Sequence, residues 1–294
     1  MVLDSSTLQI IFAGIGTGSI YALIAVGFTI IFKSTGALNF AQGEWAMMGG
    51  LFAAFVVNEA NFPVWQACIL AGVVVAFIGA VTERFLIRPL HHHTPFAITL
   101  VTVGIALLSK SLMMITLGKN PVGYEGLSGN TYQHLWGASV PTQTLWIVFI
   151  TVILMALTHV FFNHTRWGCA MRAAAANPDA AALVGIRHSR VVLGSFCIAA
   201  GVGGLAGTII TPLTLMAYDS GAMLGFKGFS AAMLGGLGSL VGATLGGVLL
   251  GVIEAVVGGY LSSQYKDAVA FLILLVVLIG RPQGLLGKAD IHKV

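Results

Sequence analysis

AAMLGGLGSLVGATLGGVLLG, residues 231–251, is the stretch that decides how the chain is threaded. It is apolar enough to lie in a bilayer, yet glycine recurs every few residues along it. Glycine forms helix poorly unless neighbouring backbones pack closely against it. Irregular backbone survives at membrane depth only where protein or a water cavity surrounds it. The segment 229–258 therefore reads as a broken or re-entrant pair of half-helices. The competing reading is one tilted helix packed as a glycine zipper.

Outward from this segment the chain is a succession of apolar runs. A helix needs about 20 apolar residues to cross a bilayer. Runs of that kind lie at 8–32, 39–57, 64–83, 96–117, 143–162 and 190–213, and a last one at 267–280. Charged residues make up 8% of the 294, and hydrophobic ones 57%. A typical soluble domain is roughly a quarter charged, because it must cover its outside with charge. This chain cannot, and its apolar content also excludes collagen-like and disordered classes. The fold class is all-α: a polytopic integral membrane protein of about seven to eight transmembrane helices plus the Gly-rich broken element. It forms one transmembrane domain over residues 1–294. Cys68, Cys169 and Cys197 show no C-x-x-C spacing and read as small buried hydrophobes. The start, MVLDSSTLQI, shows neither a basic n-region nor a small-residue cleavage site, so no cleaved signal peptide is expected.

Basic residues in short loops concentrate on the cytoplasmic side. With the amino terminus outside, Lys33, Arg84, Arg88, Arg166, Arg172, Arg187 and Arg190 all fall inside. Asp4, Glu59, Lys119 and Glu125 fall outside. Arg281, Lys288 and Lys293 at the carboxyl end also belong inside, which requires that 229–258 enter and leave on the outer side.

The most informative polar segment is HTRWGCAMRAAAANPDAAALVGIRHSR, residues 164–190, a cytoplasmic loop in this topology. Asn177 is a helix cap with Pro178 at the first helical position, and a short helix over 179–183 ends near Gly185. The result is a small alanine-faced helix with a basic rim. Basic loops can rest on anionic lipid, but that role favours bulky apolar residues. Alanine suits docking into a shallow groove on another protein.

From Arg166 to Ile186 the pattern R-W-G-x-x-x-R-A-x-x-x-N-P-x-A-A-x-L-V-G-I resembles the coupling loop of branched-chain amino-acid ABC importer permeases, of the LivH type. GSIYALIAVGFTIIFKSTGALNFAQGEWAMMGG at 18–50 and RFLIRPL at 84–90 share the likeness. So do GFKGFSAAMLGGLGSLVGATLGGVLLG at 225–251 and SSQYKDAVAFLILLVVLIGRPQGLLG at 262–287, whereas 118–142 is the weakest part. The resemblance implies a multi-pass bacterial inner-membrane permease subunit with its amino terminus outside and carboxyl terminus cytoplasmic. It implies a second, homologous permease, two cytoplasmic ATPase subunits using ATP and magnesium, and an extracytoplasmic substrate-binding protein. The coupling residues it points to are Arg166, Gly168, Arg172, Ala173, Asn177, Pro178, Ala181, Gly185 and Ile186. No G-x-x-x-x-G-K-[ST] loop occurs, as a non-hydrolytic subunit of such a system requires. The implied cargo is branched-chain or other hydrophobic amino acids, with urea or short amides as the alternative.

Ionisable groups inside spans are costly and mark candidate pathways. Glu44, with Asn39 and Gln42 in NFAQGEW, is either part of a translocation path or gate, or structural, with Asn39 capping the second helix and Glu44 interacting with its positive N-terminal end. Glu254 has no cation at helical spacing, and either lines the translocation path or pairs with a polar group on another span or subunit; Lys110 is placed to snorkel to the interface. His91, His92 and His93 read as a polar turn, because adjacent histidines converge poorly on one ion. No metal, catalytic group or nucleic-acid partner is expected. AMMGG at 46–50 and AAMLGG at 231–236 hint at an internal repeat. An ion-coupled transporter calls for paired intramembrane carboxylates, and an intramembrane enzyme for a nucleophile with its base. Neither pattern is present in the sequence.

Overall fold

The computed structural model describes residues 5–90, 94–135, 137–281 and 283–287. The three consecutive histidines, Asp4, Lys288 and Lys293 lie outside the described residues. The helices are α1 (Ser5–Thr35), α2 (Gln42–Asn58), α3 (Val64–Thr82), α4 (Pro95–Leu117), α5 (Thr142–His164) and α6 (Arg166–Ala176). They continue with α7 (Pro178–Leu183), α8 (His188–Thr214), α9 (Ser220–Gly235), α10 (Leu240–Tyr260) and α11 (Lys266–Gly280). A hairpin, β1 (Tyr132–Leu135) with β2 (Ala138–Pro141), stands between α4 and α5.

Seven helical segments among the described residues are long and apolar enough to cross a membrane. Around a packed interior of Ile20, Leu23, Phe28, Trp45 and Phe196, the outward faces carry Phe77, Leu107, Leu108, Leu157 and Leu275. Water would penalise such a surface and lipid does not. The sequence boundaries hold to within a few residues for most spans, with two exceptions.

The first exception is 229–258. It contains a break, but the second half is a full 21-residue helix, α10, and the first half begins earlier, at Ser220. The reading as two half-helices is corrected to one short helix and one complete span. The chain turns at Gly236 and Gly238, with φ of +105° and +89°, conformations open to glycine and strained for other residues. The carboxyl-terminal segment covers the turn: Leu285 N–H donates to Leu234 C=O (2.8 Å) and Leu286 N–H to Gly235 C=O (3.0 Å). Carbonyls that a helix end leaves open are thereby satisfied.

The second exception is 39–57. α2 is only 17 residues long and begins inside the bundle. Gln42 lies against Gly27 of α1, about two turns before that helix ends at Thr35, and against Gly203 of α8. The first turn of α9 meets the first turn of α2, because Gly43 abuts Gly221 and Gly225. Two short helices thus start at depth beside one another.

The packing repeats itself. α1 lies along α10, and α3 lies along α8, as the most extensive of the helix pairs together with α2 on α8. Exchanging α1–α3 with α8–α10 maps the first pair onto the second. Thr29-Ile30-Ile31 in α1 and Thr208-Ile209-Ile210 in α8 are matching triplets near the ends of equivalent helices. The echo singled out in the sequence does not fall on this relation, since 46–50 opens α2 whereas 231–236 closes α9.

The segment before β1, the weakest part of the sequence resemblance, is stitched into the bundle. Asn58 Nδ2 donates to Gly123 C=O (3.1 Å), and Leu127 N–H donates to Gln143 Oε1 of α5 (3.1 Å), whose Nε2 in turn donates to Ile209 C=O of α8 (2.8 Å). Tyr124 donates to Thr208 C=O, and burial pushes its pKa above the usual tyrosine range, keeping it a donor.

Candidate functional site

Three places hold the residues singled out above. At the junction of α2 and α9, Asn39, Gln42 and Glu44 are all buried. Asn39 does not cap α2: the N-cap is Ala41, and Asn39 Oδ1 accepts from Ala41 N–H (3.2 Å) in the turn before it. The capping half of the structural reading is corrected accordingly. Gln42 is a clasp, its Nε2 donating to Ala199 C=O (2.9 Å) across a notch that Gly27 and Gly203 leave open. Glu44 is 3% exposed, and its carboxylate covers Gly221, where a Cβ would displace it. Neither α2 nor α9 has a side-chain cap at its N-terminus. Trp45 stacks edge-on against Phe196 of α8 at 5.9 Å.

The second place is a buried charge cluster. Glu254 Oε1 lies 2.7 Å from Lys227 Nζ, and the same ammonium lies 2.7 Å from Asp267 Oδ1. Lys227 also sits 5.6 Å over the Tyr21 ring. The cation sought for Glu254 therefore comes from α9, not from its own helix, and helical spacing could not reveal it. The cluster ties α1, α9, α10 and α11 together. Lys110 rests 5.6 Å over the Tyr218 ring, at the entry to α9. Another pair, Arg88 with the fully buried Glu83 (3.2 Å), fixes the end of α3. Sequence reading had used Arg88 only to orient the chain.

The third place is the segment 164–190, which forms two helices. Thr165 Oγ1 caps α6 by accepting from Gly168 N–H, and Asn177 Oδ1 caps α7 by accepting from Ala180 N–H, each at 3.0 Å. Gly168 presses on the Phe161 and Phe162 backbone, where a Cβ has no room. Arg172 donates to Phe162 C=O and to Asn163 Oδ1, which anchors α6 on the last turn of α5. Gly185 takes φ +84°, and Ile186 N–H returns to Ala181 C=O (3.0 Å), closing α7. Ala181 is buried, Ala173 and Ile186 are half-buried, and Arg166 is exposed. Ala174 also faces inward, whereas Ala175, Ala176, Ala180 and Ala182 are exposed. What protrudes is Leu183, 89% exposed, and Val184, 76% exposed, with Trp167 nearby in sequence on α6.

A polytopic helical bundle with irregular backbone at depth and buried charges is the architecture of a membrane permease. Comparison with known proteins gives the family. The profile described as "Branched-chain amino acid transport system / permease component" matches residues 10–278, and the chain belongs to that family. It is 33% identical, over 98% of its length and 97% of theirs, to the high-affinity branched-chain amino acid transport system permease LivH of Salmonella typhimurium. BraD of Pseudomonas aeruginosa, with the same description, is 30% identical over 98% of each chain. Among solved structures, PsaBC from Streptococcus pneumoniae in complex with Fab shares the fold, with a TM-score of 0.50 at 11% identity over 92% of this chain and 91% of that one. The chain is the permease subunit of an ABC importer.

Proposed function

We infer that this permease passes branched-chain or other hydrophobic amino acids inward across a bacterial inner membrane. The observation that carries this is the similarity to LivH and BraD from one end of the chain to the other. A second, homologous permease completes the pore, an extracytoplasmic binding protein delivers the cargo, and two cytoplasmic ATPases hydrolyse ATP with magnesium. Asn39, Gln42, Glu44 and Glu254 lie along or beside the path that opens when the helices move. Uptake into liposomes containing the complete importer, with a screen of the binding protein's ligands, tests the cargo. Uptake of urea or short amides in place of leucine, isoleucine and valine overturns it.

The ATPases dock on α6 and α7. α6 is anchored on α5 and α8, and α7 rests on α6 and α8, so force applied to them reaches the spans. Leu183 and Val184 supply the apolar knob, and Arg166 a cationic rim. Leu183→Asp combined with Val184→Asp lowers ATPase co-purification and cargo uptake more than tenfold. Both positions are exposed, so the permease itself still folds. Intact uptake and coupling in this variant would remove the docking assignment.

The amino terminus is outside and the carboxyl terminus cytoplasmic. With the three native cysteines changed to serine, a cysteine introduced at Ser262, between α10 and α11, reacts with a membrane-impermeant maleimide in intact cells. Labelling only after permeabilisation inverts the topology.

A further inference from the structure

The start of α2 concentrates buried polar atoms without partners, and one of them, on Glu44, faces the first turn of α9. Glu44 Oε2, Gln42 Oε1, Asn39 Nδ2 and Trp45 Nε1 are buried without a hydrogen-bond partner among the described residues. A buried polar atom left unpaired is costly, and natural proteins keep few of them. Four within seven positions, all at one helix start, is a concentration that packing does not require. Glu44 is the most expensive of them. Its carboxylate lies at the first turn of α9.

The same place also offers positive ends. α2 and α9 both begin inside the bundle, neither with a side-chain cap, and their first turns touch at Gly43, Gly221 and Gly225. A helix N-terminus carries roughly half a positive charge and open N–H donors. A buried carboxylate with one oxygen unpartnered, beside two uncapped N-termini, is complementary to a group carrying both charges close together.

We propose that the α2–α9 junction is the station at which the permease holds the zwitterionic headgroup of an α-amino acid, with Glu44 taking the ammonium and the helix N-termini the carboxylate. The inference rests on the amino-acid reading of the preceding section and deepens it. The closed bundle described here brings Glu44 onto Gly221. Parting α2 from α9, which meet through glycines rather than interlocked side chains, opens the station. Because the headgroup is common to all α-amino acids, the station reads the backbone of the cargo and leaves its side chain to be selected elsewhere. Urea and short amides carry neither charge and gain nothing from it.

The test uses the complete importer in liposomes, supplied with leucine-loaded binding protein, and measures leucine imported per ATP hydrolysed. Glu44→Gln keeps the shape and removes the charge, and lowers that ratio about tenfold, the worth of one charge-assisted hydrogen bond. Glu44→Asp retains the charge and recovers a substantial part. An unchanged ratio in Glu44→Gln overturns the proposal. So does a variant that fails to assemble, or one that loses uptake and ATPase in equal proportion, because Glu44 is then structural. If the unaltered importer takes up no branched-chain amino acid, the cargo reading fails first and separately.

Discussion

Lys227→Met destabilises the folded permease by about 3–5 kcal/mol, the usual cost of removing one partner from a buried ion pair. Methionine keeps most of the side chain's length, so the loss is one of charge and not of packing. The ammonium it removes serves two carboxylates at 2.7 Å each, and one of them, Glu254, is buried. Glu254 then keeps a charge with no counterion, in surroundings where water cannot replace one. Asp267 is half exposed and suffers less. Since Asp267 opens α11, which is otherwise held by apolar contacts to α9 and α10, loosening appears first there. Thermal unfolding in nanodiscs measures the loss, and proteolysis between α10 and α11 locates it. Adding Glu254→Leu to Lys227→Met removes the stranded charge and restores a large share of the stability. A single variant that melts with the unaltered protein, or a double variant less stable than the sum of both singles, refutes this account of the cluster.

Gly43→Leu prevents α2 and α9 from meeting. A Cβ at Gly43 runs into the backbone of Gly221 and Gly225, which cannot turn aside in the closed bundle as a flexible side chain can. Overpacking of a close-packed interior costs about 1–3 kcal/mol where neighbours can shift, and more where they cannot. The expected result is little or no folded protein after extraction. Gly104→Leu is the matched control: Gly104 lies in α4 on an exposed face with nothing within 4 Å of a built Cβ. That variant folds with unchanged yield. Equal yields for both would show that the α2–α9 contact is not tight in the folded protein.

Much of this molecule was legible before any coordinates. Asn177 before Pro178 is a helix start in the sequence and in the structure, because a cap acts over three residues and needs nothing distant. The apolar runs became helices because each can satisfy its own backbone inside lipid. Where reading failed, the cause was always a partner far along the chain. The run 39–57 looked like an ordinary span, since nothing local tells that Gln42 is clasped by Ala199 and that the helix starts at depth. The alanines of 164–190 divide: α6 and α7 turn Ala174 and Ala181 inward and leave Ala175, Ala176, Ala180 and Ala182 outside together with Leu183 and Val184. Glu254 was expected to line the path or to pair across spans, but its partner could not be named, because the cation is 27 positions away.

The sequence by itself determined that this is a lipid-embedded helical protein, and that Asn177 starts and Gly185 ends a short helix. These follow from the transfer of each segment into the bilayer and from local hydrogen bonding, both functions of near neighbours. It also showed that 229–258 is broken, since glycine density is a local property. Only the tertiary structure decided where the break lies, that α2 and α9 start beside one another inside the bundle, and which charges neutralise which. Those depend on distances between segments that are remote along the chain, and it is close glycine packing that brings them together.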